Sequence, residues 1–119
     1  MAEHNNFGKE GEKLAKAFLE ATDYEILEEN WTFGKSEIDL IAYKDQKIIF
    51  VEVKTRSSNS YGDPEDFVLM PKKQQMTRAA DEYIHLMSHQ GEVRFDIISI
   101  LFNHQKEPQL NHIEDAFWP

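Results

Sequence analysis

The 119-residue chain has no cysteine, so disulfide bridges and thiolate metal sites are both excluded. No apolar run comes near the ~20 residues that a membrane-spanning helix needs. The polar first residues lack the apolar stretch of a secretory leader, so a cytoplasmic protein with no membrane partner is expected. Internal repeats and low-complexity segments are absent as well. Basic charge is in short supply, 13 Lys and Arg against 22 Asp and Glu, for a formal net charge of −9. Nucleic-acid binders are normally basic, and this balance argues against tight, sequence-independent binding by the surface as a whole. The deficit is uneven. Residues 1–30 carry eight acids and three bases, residues 81–119 seven acids and two bases, and residues 31–80 seven acids and eight bases. A locally positive site on an acidic body is therefore compatible with the composition. A hydrophobic fraction of 40% at this length fits one domain, residues 1–119, with a single core.

What is present concentrates in residues 36–56, where two apolar, β-branched runs, Ile38–Tyr43 and Lys47–Val53, flank the polar pair Asp45-Gln46. The pattern predicts a β-hairpin turning at that pair. Counting outward from the turn, Lys44 faces Lys47, Asp39 faces Glu52 and Glu37 faces Lys54. Opposed residues share a face of the sheet, and so do Glu52 and Lys54 through the two-residue period. One face of a mostly apolar hairpin thus carries Asp39, Glu52 and Lys54. Two opposed carboxylates repel, and burying them is costly unless a cation intervenes. A hard divalent ion, Mg²⁺ or Mn²⁺, answers that need with one or two carboxylates plus water and phosphate oxygens. Lys54 then stands where it orients or activates an attacking water, which is the arrangement for metal-assisted phosphodiester hydrolysis. The other reading, a cross-strand ion pair of Lys54 with Glu37 or Glu52 on a solvated face, stays open on spacing alone.

Elsewhere the chain reads as a helix capped by Asn5 or Asn6 and running to about Ala21, with Gly8, Gly11, Glu12 and Ala15 along one stripe. Small residues there permit close approach to a sheet. Glu12, beside that stripe, is either a half-exposed glutamate near the helix start or a third carboxylate aimed at the hairpin. A strand over Tyr24–Phe33 follows, with Trp31 a core candidate, and then a turn at Gly34-Lys35-Ser36. Arg56 suits a phosphate or a rim ion pair. Ser57–Asp66 is a polar loop. Pro71 opens a second helix whose stripe is Met76, Ala79, Ala80, Tyr83, Ile84 and Met87. Lys72, Lys73 and Arg78 in its first half are candidates for a nucleic-acid backbone or simply a solvated face. His85 and His89, four apart, read as surface histidines. Val93–Phe102 is a buried strand carrying Arg94 and Asp96, for which a structural ion pair or hydrogen bond at a strand end is the plain reading, preferred for Asp96. After a polar turn over 103–108, Leu110–Trp118 is a last edge strand or tail.

Asp39 followed by Glu52-Val53-Lys54 resembles the acidic-residue-then-(D/E)xK signature of the PD-(D/E)XK nuclease superfamily. More narrowly, Gly8-x-x-Gly11-Glu12-x-x-Ala15, Ser36-Glu37-Ile38-Asp39-Leu40-Ile41-Ala42, Val51-Glu52-Val53-Lys54-Thr55-Arg56 and Arg94-Phe95-Asp96 resemble, in order, four motifs of the YraN-like bacterial protein family. One departure is Ser36, where that family usually has Gly. The resemblance implies a restriction-endonuclease-like αβββαβ core, an α/β (α+β) mixed sheet flanked by helices. It implies a metal-dependent endonuclease in which Asp39, Glu52 and the Val53 carbonyl hold Mg²⁺ or Mn²⁺, Lys54 serves the water, and Glu12 completes the shell. Nucleic acid, DNA rather than RNA and branched DNA in particular, is the implied substrate, and a homodimer the implied assembly. A non-catalytic nucleic-acid-binding module of the same fold is the alternative, and a purely structural interaction protein a third.

Overall fold

A computed structural model describes residues 2–57, 70–103 and 106–118. The chain order is α1 (Ala2–Ala21), β1 (Glu25–Phe33), β2 (Ser36–Lys44), β3 (Lys47–Ser57), α2 (Met70–Leu86), β4 (Val93–Asn103) and β5 (Lys106–Ile113). The five strands form one sheet in sequence order, antiparallel except for the parallel pair β3–β4 that α2 connects. This is the mixed α/β architecture expected, with an αβββαβ-like core. β3 is the central strand.

The two sheet faces carry separate cores because the strands alternate. Ile48, Phe50, Phe95 and Ile97 pack under α2 through Met76, Ala79, Ala80 and Tyr83. Ile49, Val51, Ile98 and Ile100 pack under α1 through Ala15 and Leu19. Both residues of the Asp45-Gln46 turn have positive φ, 52° and 66°, which is the primed turn whose twist suits a hairpin. Lys44 pairs with Lys47 as the count from that turn requires. At Gly11 α1 lies close against the sheet, and a Cβ there would collide with the Thr55 methyl. Gly8 has open space around it and meets no such need.

Several expectations need correction. α1 begins at Ala2 rather than after Asn5 or Asn6. The β2–β3 ladder ends at Leu40↔Val51, so Asp39 and Glu52 are not a ladder pair. Glu37 does not face Lys54 but pairs with Thr32 of β1. β2 stays with β1 at this end and leaves β3. Helix α2 stops at Leu86, which puts Met87 outside it, exposed, and places His89 beyond the helix rather than one turn after His85. His89 Nε2 lies 2.9 Å from the Glu92 carbonyl instead. β5 starts at Lys106, inside the stretch read as a turn, and Phe117 folds back onto Phe95, with ring centroids 5.5 Å apart. The loop read over Ser57–Asp66, beyond Ser57 itself, lies outside the described residues. Among the described residues no helix is long and apolar enough to cross a membrane.

Candidate functional site

Beyond Leu40 the two strands of the hairpin part, and side chains fill the gap. Asp39 Oδ2 accepts a hydrogen bond from the Val53 N–H at 2.8 Å, in place of a backbone partner from β2. In an extended strand the N–H and C=O of one residue leave from the same edge, so the Val53 carbonyl faces that gap too. The alternation of β2 also breaks here, since Ile38 and Ile41 both join the α2 core while Leu40 and Ala42 join the α1 core. Asp39 therefore sits where charges on both sides of the sheet reach it, Lys72 of α2 and Glu12 of α1 among them.

Glu52 lies on the α2 side of β3, only 4% exposed. Lys54 Nζ stands 3.5 Å from its Oε1, and Lys72 Nζ stands 3.7 Å from its Oε2. Oε2 is buried and has no hydrogen-bond partner among the described residues. A buried carboxylate oxygen in that condition is held only by charge, at a cost that an additional ligand would relieve. Burial, and then the Glu52 charge, push the Asp39 carboxyl up from the ordinary 3.8 to about 7, against the opposing effects of the Val53 N–H and Lys72. Glu12 is also raised, first by burial and then by Asp39 and Glu37, while a hydrogen bond from Asn30 opposes the shift. Asn30 adopts the left-handed conformation, φ 51°, which Asn tolerates better than most residues.

Asp39, Glu52, Lys54, Val53 and Lys72 are thus brought together midway along the central strand, where β2 leaves it. Arg56 follows on the same face of β3, half-buried, in register with Leu101. Glu12 stands at the rim, tied to Asn30. Lys73 and Arg78 are not part of the group: Lys73 Nζ lies over the Phe117 ring, 5.7 Å from its centroid, and Arg78 is exposed. Lys72 is the residue whose place differs most from the reading of it as an outer-face lysine, and Asn30 had no signal in the sequence beyond its tolerance of positive φ. Among the described residues no three His, Cys, Asp or Glu side chains already converge as a metal shell. The donors at hand are two carboxylates and a carbonyl, a set that fits Mg²⁺ or Mn²⁺, which retain water and take few protein ligands. It does not fit a softer metal, which would want thiolate or imidazole.

The raised carboxyl has a testable consequence. A group whose folded pKa exceeds its unfolded value contributes stability that is complete below the unfolded value and lost as pH rises through the folded one. For Asp39 that window runs from 3.8 to about 7. In EDTA the protein is expected to melt at a lower temperature at pH 8 than at pH 5.5. Asp39→Asn should remove this carboxyl's share of the difference and raise the melting temperature at pH 8. An unchanged pH difference in the variant would mean that Asp39 is not the group responsible.

A second buried carboxylate, Asp96, has the opposite character. Arg94 donates Nε to Oδ1 and Nη2 to Oδ2, both at 2.8 Å, the Asp115 N–H donates to Oδ1 at 2.9 Å, and His112 Nε2 lies 2.7 Å from Oδ2. Burial alone would raise its pKa, but His112, Arg94 and the Asp115 N–H together outweigh burial and hold it below the usual range. Every acceptor position there is served, as the structural reading of the Arg94–Asp96 pair requires. The carboxylate oxygen left without a hydrogen bond among the described residues is Glu52 Oε2.

Comparison with known proteins adds a family. The model of "Uncharacterised protein family UPF0102" matches residues 11–100. A UPF0102 protein of Flavobacterium psychrophilum is 49% identical over 118 residues, covering 99% of this chain and 98% of its own. One of Bacteroides thetaiotaomicron is 43% identical over 119 residues, 100% and 98% of the two chains. One of Chloroherpeton thalassium is 41% identical over 119 residues, 93% and 92% of the two.

Proposed function

The chain belongs to the UPF0102 family, the YraN-like family its motifs resemble, and from that premise we propose that it is a metal-dependent endonuclease of the PD-(D/E)XK type. The observation that carries the reading is the pair of Glu52, buried, and Asp39, half-buried, within reach of each other's charge at the point where the hairpin opens. Structural carboxylates are normally satisfied at every oxygen as Asp96 is; here Glu52 Oε2 is buried with no hydrogen bond among the described residues, and a bound cation would supply the missing ligand. Asp39, Glu52 and the Val53 carbonyl would hold Mg²⁺ or Mn²⁺, and Glu12 completes the shell from the rim. Bound there, the ion supplies Lewis-acid polarisation of a phosphate oxygen.

The protein's own groups supply the rest. Lys54, its ammonium beside Glu52, holds the attacking water and faces the negative charge that develops on the phosphoryl oxygens. Water adds to phosphorus, one P–O ester bond breaks, the water's proton passes to solvent, and the departing alkoxide takes up a proton. Val53 N–H keeps Asp39 oriented. Arg56, on the same face, and Lys73 and Arg78 on α2 offer contacts to neighbouring phosphates, and an acidic body confines binding to this positively balanced middle. Branched DNA is the substrate class favoured by the resemblance, with a homodimer as the acting form. The protein is read as cytoplasmic.

A non-catalytic nucleic-acid-binding module is the second reading, favoured by the two lysines that already neutralise Glu52. The deciding experiment exposes linear, flapped, four-way-junction and single-stranded DNA and RNA to the protein in Mn²⁺ or in EDTA. Cleavage of one structure that requires Mn²⁺ supports the enzyme. Retention of one structure without cleavage supports the module.

A further inference from the structure

Lys72 lies outside the hairpin, yet it reaches Glu52 from the side opposite Lys54, onto the other carboxylate oxygen. Its side chain is 31% exposed and that of Glu52 is 6% exposed, so the ammonium extends from a half-wet rim into a dry gap. At 3.7 Å the contact is a charge pairing without a hydrogen bond, and Oε2 receives none from any other described group. Such a contact yields readily to a cation that approaches closer. The neighbouring residue shows that the direction is specific to Lys72. One helical step of about 100° further on, Lys73 is turned to the Phe117 ring.

We propose that Lys72 is a tethered counter-cation, which neutralises Glu52 in the metal-free protein and has to give up Oε2 before a divalent ion binds. The inference rests on the reading of Asp39 and Glu52 as a cation site and adds its regulation: the first turn of α2 sets the concentration at which the site fills. Because α2 also covers the core through Met76 and Ala80, the lysine's backbone stays in place whether its ammonium is paired or displaced. In the metal-free state Lys72 shares with Lys54 the compensation of the buried Glu52 charge, and is the cation on the oxygen that has no hydrogen bond. In the loaded state the ammonium is free beside the site.

Calorimetric titration of Mn²⁺ at pH 8 into wild type, Lys72→Gln, Lys72→Arg, Lys73→Gln and Asp39→Asn tests this, with melting in EDTA alongside. Removing a competing charge at contact distance is expected to tighten Mn²⁺ binding roughly tenfold in Lys72→Gln, while its melting temperature in EDTA falls. Lys72→Arg, which keeps the charge, should bind as wild type or more weakly, and preserves the test if the glutamine variant does not fold. Lys73→Gln, which removes the same charge one residue away, should change affinity far less. Equal affinities in Lys72→Gln and wild type, weaker binding in Lys72→Gln, or equal effects at 72 and 73 would overturn the counter-cation while leaving the site intact. Absence of Mn²⁺ binding in wild type would overturn both.

Discussion

Substituting Lys54 by alanine is expected to lower Mn²⁺-dependent cleavage by at least about 100-fold, and Asp39→Asn by a similar or larger factor. A positioned proton-transfer group contributes roughly 10²–10⁴, and loss of one preorganised charge at a developing oxyanion costs on the order of 10²–10³. The two variants should reach inactivity by different routes. Lys54→Ala removes one of two cations on Glu52 and leaves the carboxylate pair in place. Asp39→Asn keeps an oxygen to accept the Val53 N–H but deletes a charge that burial and Glu52 both oppose. It should therefore be inactive and, in EDTA at pH 8, more stable than wild type. That combination excludes unfolding as the cause of lost activity. It is measured by single-turnover cleavage together with thermal melting of the same preparations. Activity that survives both substitutions would belong to a contaminant and would remove the enzyme reading.

Asp96→Ala should have the largest effect on stability and none that is specific to metal. The substitution leaves the Arg94 guanidinium, His112 and the Asp115 N–H facing a cavity with no acceptor. Arg94 would retain Tyr24, 2.7 Å from Nη2, and Glu114, 3.1 Å from Nη1. Breaking a buried pair by removing one partner costs about 3–5 kcal/mol, against a total stability of roughly 5–15 kcal/mol for a domain. In a chain of this size that corresponds to a fall in melting temperature of roughly 10–25 °C. Urea unfolding of wild type and variant at pH 7 measures it. The pH dependence has the opposite sense to that of Asp39. A lowered carboxyl contributes stability that is present above the unfolded value of 3.8 and lost as pH falls through the folded one. The Asp96 contribution is therefore lost in acid, and the Asp39 contribution is lost toward neutrality. A change below 1 kcal/mol in the variant would show that the network is dispensable.

The two acidic sites differ in how far the sequence discloses them. The register of the hairpin is legible because it depends on local features, a two-residue turn and two β-branched runs, and counting from Lys44↔Lys47 is correct as far as Leu40↔Val51. It fails at Asp39 and Glu37 because β2 has two neighbours and follows β1 at that end, where Glu37 pairs with Thr32. No count from the turn reveals that competition. The stripe of α2 is legible by its period from Met76 to Ile84 and fails at Met87, where the helix has ended. Lys72 reads in sequence as one of several lysines on a helix surface. Its contact with Glu52 spans 20 positions and depends on how α2 returns over β3. The partners of Asp96 show the same division. Arg94, two residues away on the strand, is readable, while His112 and Asp115 arrive only through the pairing of β4 with β5 and the turn that follows it.

The central claim, that the opened hairpin is a divalent-cation site, is tested most directly by crystals grown with Mn²⁺ and diffraction data collected at the manganese absorption edge. The account predicts one anomalous peak per chain, bounded by the Asp39 carboxylate, the Glu52 carboxylate and the Val53 carbonyl, with Lys72 withdrawn from Glu52 Oε2. A structure at saturating Mn²⁺ with no peak there, and with Lys54 and Lys72 still on Glu52, would contradict it and leave the three charged residues as an ion-pair network.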